Sequence, residues 1–406
     1  LREAAFGRFD ALGLPHRRIE EWKYTDLRAL MREAKPLAPP PDAEAKQRAK
    51  SAGALLAGLH AHRLVFIDGV FVPELCDQSA LAGVSVGSLA AALARSENLA
   101  AAGADGAACE DVAHALNTAF MSDGAVVRIA RDVAVARPIH LVFAHGAGKA
   151  TAQFTRSHVV VEAGARATLV ESHEGPDGID YQVNTALDLV VGEGAMVDHI
   201  KITAEGDAAL HISTLNAMIG QDARFGHFTF TIGGAIVRNQ LFVTCRGRDS
   251  TLQLSGVNLL RRRQHADTTL VLDHAVGGCT SRELFKSVLD EESRGVFQGK
   301  IIVRPQAQRT DARMMTRALL LSQDAEADNK PELEIFADDV QCGHGATAGA
   351  LDEDLKFYLM ARGIPARQAE ALLVEAFVGE AIDTVAHEGV RDALRFAAAR
   401  WLGARG

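Results

Sequence analysis

A repeat with a period near 28 residues constrains this chain more than any other feature. Val159-Val160-Val161-Glu162-Ala163-Gly164-Ala165, Leu189-Val190-Val191-Gly192-Glu193-Gly194-Ala195, Ala217-Met218-Ile219-Gly220-Gln221-Asp222-Ala223 and Phe242-Val243-Thr244-Cys245-Arg246-Gly247-Arg248-Asp249-Ser250 share one design. Each runs from apolar, β-favouring residues into a short turn carrying Gly or Asp. Taking Gly164, Gly194, Asp222 and Asp249 as equivalent turns gives spacings of 30, 28 and 27 residues, and Gly277 follows after another 28. A unit this short cannot bury its own apolar face, so successive units must stack and share one core. The reading is a mainly β coil with these five turns on one side. The competing arrangement is an antiparallel sandwich whose hairpins fall at similar intervals.

The flanks carry a different pattern. The first sixty residues read mainly as helix, interrupted by Pro36, Pro39, Pro40 and Pro41 as a linker or sharp turn. Leu64-Val65-Phe66-Ile67 and Val70-Phe71-Val72 around Asp68-Gly69 read as a hairpin, because Asp-Gly suits a tight two-residue turn. Residues 81–114 read as helical, and β-rich runs begin near Ala125. After Asp352-Glu353-Asp354 the period becomes helical, with a break at Gly363 and Pro365. Leu372, Leu373, Ala376, Phe377 and Ile382 form the expected inward stripe of the next helix, and Leu394, Phe396 and Trp401 that of the last. Three regions follow: a mostly helical 1–118 with a short hairpin, a coil over 119–348 and a helical 349–406.

Charge and cysteine usage narrow the function. A formal charge of -9 lacks the basic excess that a phosphate backbone demands, so nucleic acid is excluded as a partner class. No apolar run reaches a membrane-spanning length, and Leu1-Arg2-Glu3-Ala4-Ala5-Phe6 has neither a basic nor an apolar leader character. Cys76, Cys109, Cys245, Cys279 and Cys342 are odd in number and widely dispersed, which fits free thiols in a reducing cytoplasm. The dispersal also excludes local zinc or iron–sulfur loops, so any metal ligands must come from distant turns or another chain. Gly146-Ala147-Gly148-Lys149-Ala150-Thr151 and Gly295-Val296-Phe297-Gln298-Gly299-Lys300 lack Walker spacing; if ATP is used, another chain must bind it.

Two acidic and two histidine positions are candidates for chemistry. Asp338 and Asp339 are adjacent, so on a regular strand they point to opposite faces and cannot converge on a sugar bond. His199 and His227 lie 28 apart, which places them on neighbouring turns as a polar ladder on the outside of the coil, with metal binding as the lesser reading. Residues 330–347 are the most informative stretch. Leu333, Ile335 and Ala337 alternate with Glu334 and Phe336, and if the strand continues, Cys342 and His344 face the same side. A thiolate beside an imidazole suits sulfur or iron handling; a buried thiol and a hydrogen-bonded histidine near a sheet end is the structural alternative.

Residues 330–347, with Gly295-Val296-Phe297-Gln298-Gly299-Lys300-Ile301 and Pro305-Gln306-Ala307-Gln308-Arg309-Thr310-Asp311-Ala312, resemble the SufB/SufD family of iron–sulfur cluster assembly proteins. Arg18-Ile19-Glu20-Glu21-Trp22-Lys23-Tyr24-Thr25-Asp26-Leu27 and the chain length resemble its SufD branch. The resemblance implies a right-handed parallel β-helix between helical ends. It further implies a non-enzymatic scaffold that pairs with a SufB-like subunit and a SufC-like ABC ATPase. His344 would then be the SufB-interface residue and a transient cluster ligand or proton carrier, with Cys342 beside it in a less defined role. SufC is expected on the helical part at 351–385, through Glu370, Glu375 and Asp383. No cofactor is expected to stay bound to the isolated chain; a transient iron–sulfur cluster forms with SufB. A homodimer of the isolated chain, a SufB-like homodimeric carrier of sulfur or clusters, and a β-helical polysaccharide-cleaving enzyme are the alternatives.

Overall fold

The computed structural model describes residues 2–77, 79–95 and 110–404; Cys109 and part of the helix expected over 81–114 lie outside them. The chain is mainly β, with a β-solenoid of about 8 turns between helical ends. From the strand Ile139–Ala144 onward, successive strands alternate between a ten-stranded and a nine-stranded sheet. Their neighbours within each sheet are parallel and one turn apart, as in Cys245 opposite His274 and Met314 opposite His344. The sandwich alternative is thereby set aside.

One column of left-handed residues shows why the repeat reads as it does. Asp132, Gly164, Gly194, Asp222, Asp249, Gly278 and Arg309 all have φ between 53° and 79°. Each donates its main-chain N–H to the next turn, for example Gly164 to Glu193 O, Gly194 to Gln221 O and Asp222 to Arg248 O. Gly and Asp recur there because they enter the left-handed region at low cost. The column therefore stacks along one edge as expected, with one correction: Gly278, not Gly277, holds the left-handed position.

The interior is shared between the sheets. Leu169, Leu254 and Met314 from one and Leu215, Leu241 and Leu270 from the other belong to one buried apolar cluster. Side chains two residues apart share a face. Thus Leu169, His199, His227, Leu254, Glu283, Met314 and His344, successive partners along the ten-stranded sheet, form one inward column.

Both outer faces are covered. Ile200, Ile202, Phe228, Phe230, Val257 and Val288 pack outward against Val374, Val378, Ile382, Leu394 and Trp401 of the C-terminal helices. Leu210 and Ile212 of the nine-stranded sheet pack with Trp22, Leu27 and Ala113. There the Arg238 guanidinium lies 3.9 Å over the Trp22 ring and pairs with buried Asp267, while Thr25 donates to Asp267 at 2.6 Å. The segment around Trp22 is thus a clamp on the coil.

Two expectations need correction in the flanks, and a third holds. The first sixty residues are short pieces, Arg2–Leu12, Leu27–Leu30 and Ala43–Arg48, joined by 3-10 turns and irregular segments, because prolines and glycine caps interrupt the Ala-rich stretches. Val84–Ser88, expected as helix, is a strand antiparallel to Ala125–Ile129. The hairpin exists, His62–Ile67 against Val70–Phe71, with Asp68 and Gly69 both at positive φ.

Candidate functional site

Among the described residues, the coil ends at two strands with no partner on their outer edges. Gln341–Ala350 is the terminal strand of the ten-stranded sheet and Glu326–Ile335 that of the nine-stranded sheet. Pro331 is tolerated in the latter because an edge strand can leave one hydrogen-bonding side unpaired. Exposed Ile335 and Phe336 lie beside this mouth. Asp338 and Asp339 occupy the exposed turn between the two strands.

Cys342 and His344 do share a face, and it is the inner one. Cys342 stands opposite Ala312 and His344 opposite Met314, both of which are buried in the core. Among the described residues no further turn covers the terminal strand; Cys342 is half-buried and His344 is exposed at the mouth. A groove of about 410 Å³ runs there, lined by Met314, Met315, Gln341, Cys342, Gly343 and His344 among others. Burial pushes the Cys342 thiol above its ordinary pKa, and the Asp311 and Glu283 charges add to the rise. A Cβ on Gly345 would approach the Met315 Cε to 2.7 Å, so glycine keeps the outward face of this strand low.

Deeper in the coil lies a polar interior that sequence reasoning missed. His199 and His227 are on neighbouring turns, with ring centroids 5.0 Å apart and Nδ1 atoms 3.0 Å apart, but they are buried inside and form no external ladder. His199 Nε2 lies 3.0 Å from Glu171. Lys201 donates to Thr203 at 2.8 Å and to Asn239 at 3.2 Å, and its Nζ is 2.9 Å from His211. Tyr181 donates to Glu205 at 2.6 Å. Desolvation drives each group toward its neutral form: Glu205 rises to about 7, Lys201 falls to about 8, and His173, His211 and His227 are held well below 6.5. The 28-residue spacing of His199 and His227 was the available signal; the face they occupy was not.

The C-terminal helices place the remaining expected residues unevenly. In Ala366–Ile382 the buried positions are Ala369, Val374, Val378, Ala381 and Ile382. Leu372 is therefore not inward but exposed, and Leu373 and Phe377 are half-buried. Glu375 lines a groove of about 400 Å³ with exposed Phe396 and with Arg395, which pairs with Asp383. Glu370 is apart from it, half-buried and 3.6 Å from Lys356. The helix Glu353–Met360 buries none of its residues and exposes Leu355, Phe357, Tyr358 and Met360.

The glycine-rich residues 295–301 form no loop, lying wholly within the strand Arg294–Val303, whereas 146–151 lie in the connection between the strands Ile139–Ala144 and Ala152–Val161. Among the described residues no helix is long and apolar enough to cross a membrane.

Comparison with known proteins agrees with this architecture. The family model for the SUF system FeS cluster assembly SufBD core domain matches residues 143–377, and that for the SufBD protein N-terminal region matches 1–141. An iron–sulfur cluster assembly SufBD family protein of Synechocystis is 34% identical, over 97% of this chain and 89% of its own. The iron–sulfur cluster assembly protein SufD of Escherichia coli is 30% identical, over 93% of this chain and 87% of its own. The Bacillus subtilis SufD is 25% identical, over 69% and 64%. With a coil that ends in open edges, a cysteine and a histidine at its mouth, and matches running nearly end to end, this chain belongs to the SufBD family of iron–sulfur cluster assembly proteins.

Proposed function

We propose that the chain is a non-enzymatic scaffold subunit of a cytoplasmic SUF complex, in the SufD position, pairing with a SufB-like subunit and a SufC-like ABC ATPase. The observation that carries this reading is the mouth of the coil. Two unpaired strand edges offer main-chain donors and acceptors to another chain, and exposed His344 sits between them beside Cys342. A partner docking there would cover the mouth and bring its own thiolate to the imidazole, giving a mixed nitrogen and sulfur environment suited to iron. The nascent cluster is cargo held between two chains, so the isolated chain is expected to hold no stable cluster and to hydrolyse no ATP. The ATPase is placed on the helical part at 351–385, where exposed Leu355, Phe357 and Tyr358 adjoin the groove formed with Leu373 and Phe377. Glu375 and Asp383 would set the charge of a neighbouring contact, with Glu370 at its margin.

His344→Ala tests the reading. Because His344 is exposed, the substitution should change stability by no more than about 0.5 kcal/mol and leave complex assembly intact, while cluster yield on the assembled complex falls to background. A normal yield on a correctly assembled complex would remove His344 from the site.

A further inference from the structure

Cys245, His274 and Cys279 converge inside the coil although no local motif joins them. Cys245 and His274 are direct partners on adjacent strands of the nine-stranded sheet, and Cys279 enters from the turn before the strand Thr280–Leu289 of the other sheet. All three are buried, and one potential ligand atom from each lies within 4.8 Å of the others. Two thiols and an imidazole are the donor set of thiophilic, tetrahedral divalent cations.

Two further observations point to a ligand. The Nε2 atom of His274 is 3.1 Å from the Ser281 hydroxyl, whereas Nδ1 is buried without a hydrogen-bond partner. That division, one nitrogen held by an outer partner and the other free, is the usual one for a metal-ligating histidine. The carboxyl of Glu283 is buried beside the Ser281 hydroxyl that also meets His274, and among the described residues no cation forms an ion pair with it. A buried carboxyl without an ion-pair partner is costly unless a cation or proton compensates it.

We propose that Cys245, His274 and Cys279 bind one thiophilic divalent cation of the zinc type inside the coil, with His274 ligating through Nδ1 and Glu283 as the adjacent compensating carboxylate. Glu283 stands on the column that runs through Met314 to His344, so the site lies about two turns, roughly 10 Å, below the mouth. The other convergent group, His173 with Glu205 and His211, is a weaker cation site, because His211 is engaged at both nitrogens and the Lys201 ammonium lies against it. The proposal concerns the chain alone and does not rest on its role in assembly.

The test uses the full chain, stripped of metal with a chelator under anaerobic reducing conditions and titrated with Co²⁺ as the spectroscopic probe. Expected are one Co²⁺ per chain, thiolate-to-cobalt charge-transfer bands, visible bands of tetrahedral intensity, and their loss on adding Zn²⁺. Cys245→Ser and Cys279→Ser should abolish the charge-transfer bands, and Glu283→Gln should weaken binding by roughly tenfold. Cys342→Ser should leave the spectrum unchanged. A second measurement needs no substitution: Zn²⁺ should protect Cys245 and Cys279, but not Cys342, from alkylation in the parent. Absence of the bands, their retention in the Cys245→Ser and Cys279→Ser variants, or equal alkylation with and without Zn²⁺ would overturn the site.

Discussion

Glu205 and His344 show what position within one coil does to a side chain. His344 is exposed because the last turn has no successor, whereas Glu205 is enclosed by Tyr181 and His211 and its carboxyl rises from 4.5 to about 7 by desolvation. A carboxyl whose folded pKa is raised binds a proton more tightly in the native state, so its contribution is full below about pH 4.5 and is lost as pH rises through about 7. Glu205→Gln removes this titration. The stability difference between parent and variant, measured by denaturant unfolding at a series of pH values, should therefore shift against the parent by at most about 3 kcal/mol between those limits. A flat difference would mean that Glu205 is not enclosed. That His344 and Cys342 share a face was legible from strand alternation alone. That His199 and His227 point inward was not, because both faces of these strands carry polar residues and the repeat length does not say which face is buried.

At the scale of elements, the turns and the N-terminal clamp carry separable tests. Gly194 has φ of 63° and open space where a Cβ would sit, so Gly194→Ala should cost only the left-handed penalty, about 1 kcal/mol by unfolding midpoint. A much larger loss would point to an undetected clash. Arg238→Ala should cost more, about 3 to 5 kcal/mol, because it strands the Asp267 carboxylate in the interior beneath Trp22. A loss under 1 kcal/mol would show that water reaches Asp267. The turn column was readable because left-handed backbone selects Gly and Asp; the choice between Gly277 and Gly278 was not, since two adjacent glycines are equivalent by residue type. The stripe of the helix Ala366–Ile382 misled for a related reason: Ala, Leu and Val fall on most of its faces, so burial of Val374 and Val378 in place of Leu372 is decided by the sheet beneath.

At the scale of the molecule, the coil is closed along its length and open at its end. Parallel strands satisfy one another from turn to turn, helices cover both outer faces, and the unpaired edges collect where His344 and Cys342 are exposed to a partner. The repeat made the coil legible, but the interior polar groups and the Cys245, His274 and Cys279 convergence depend on registers between turns 28 to 34 residues apart, which no local motif encodes. The measurement that bears most directly on the account is the native mass of the assembly recovered from the chain's own cells under anaerobic conditions. The expected result is a complex containing this chain, a SufB-like subunit and a SufC-like ATPase, which dissociates when the edge of strand Gln341–Ala350 is blocked by proline substitution. Recovery of the chain only as a monomer or homodimer, with neither partner at any salt concentration, would contradict it.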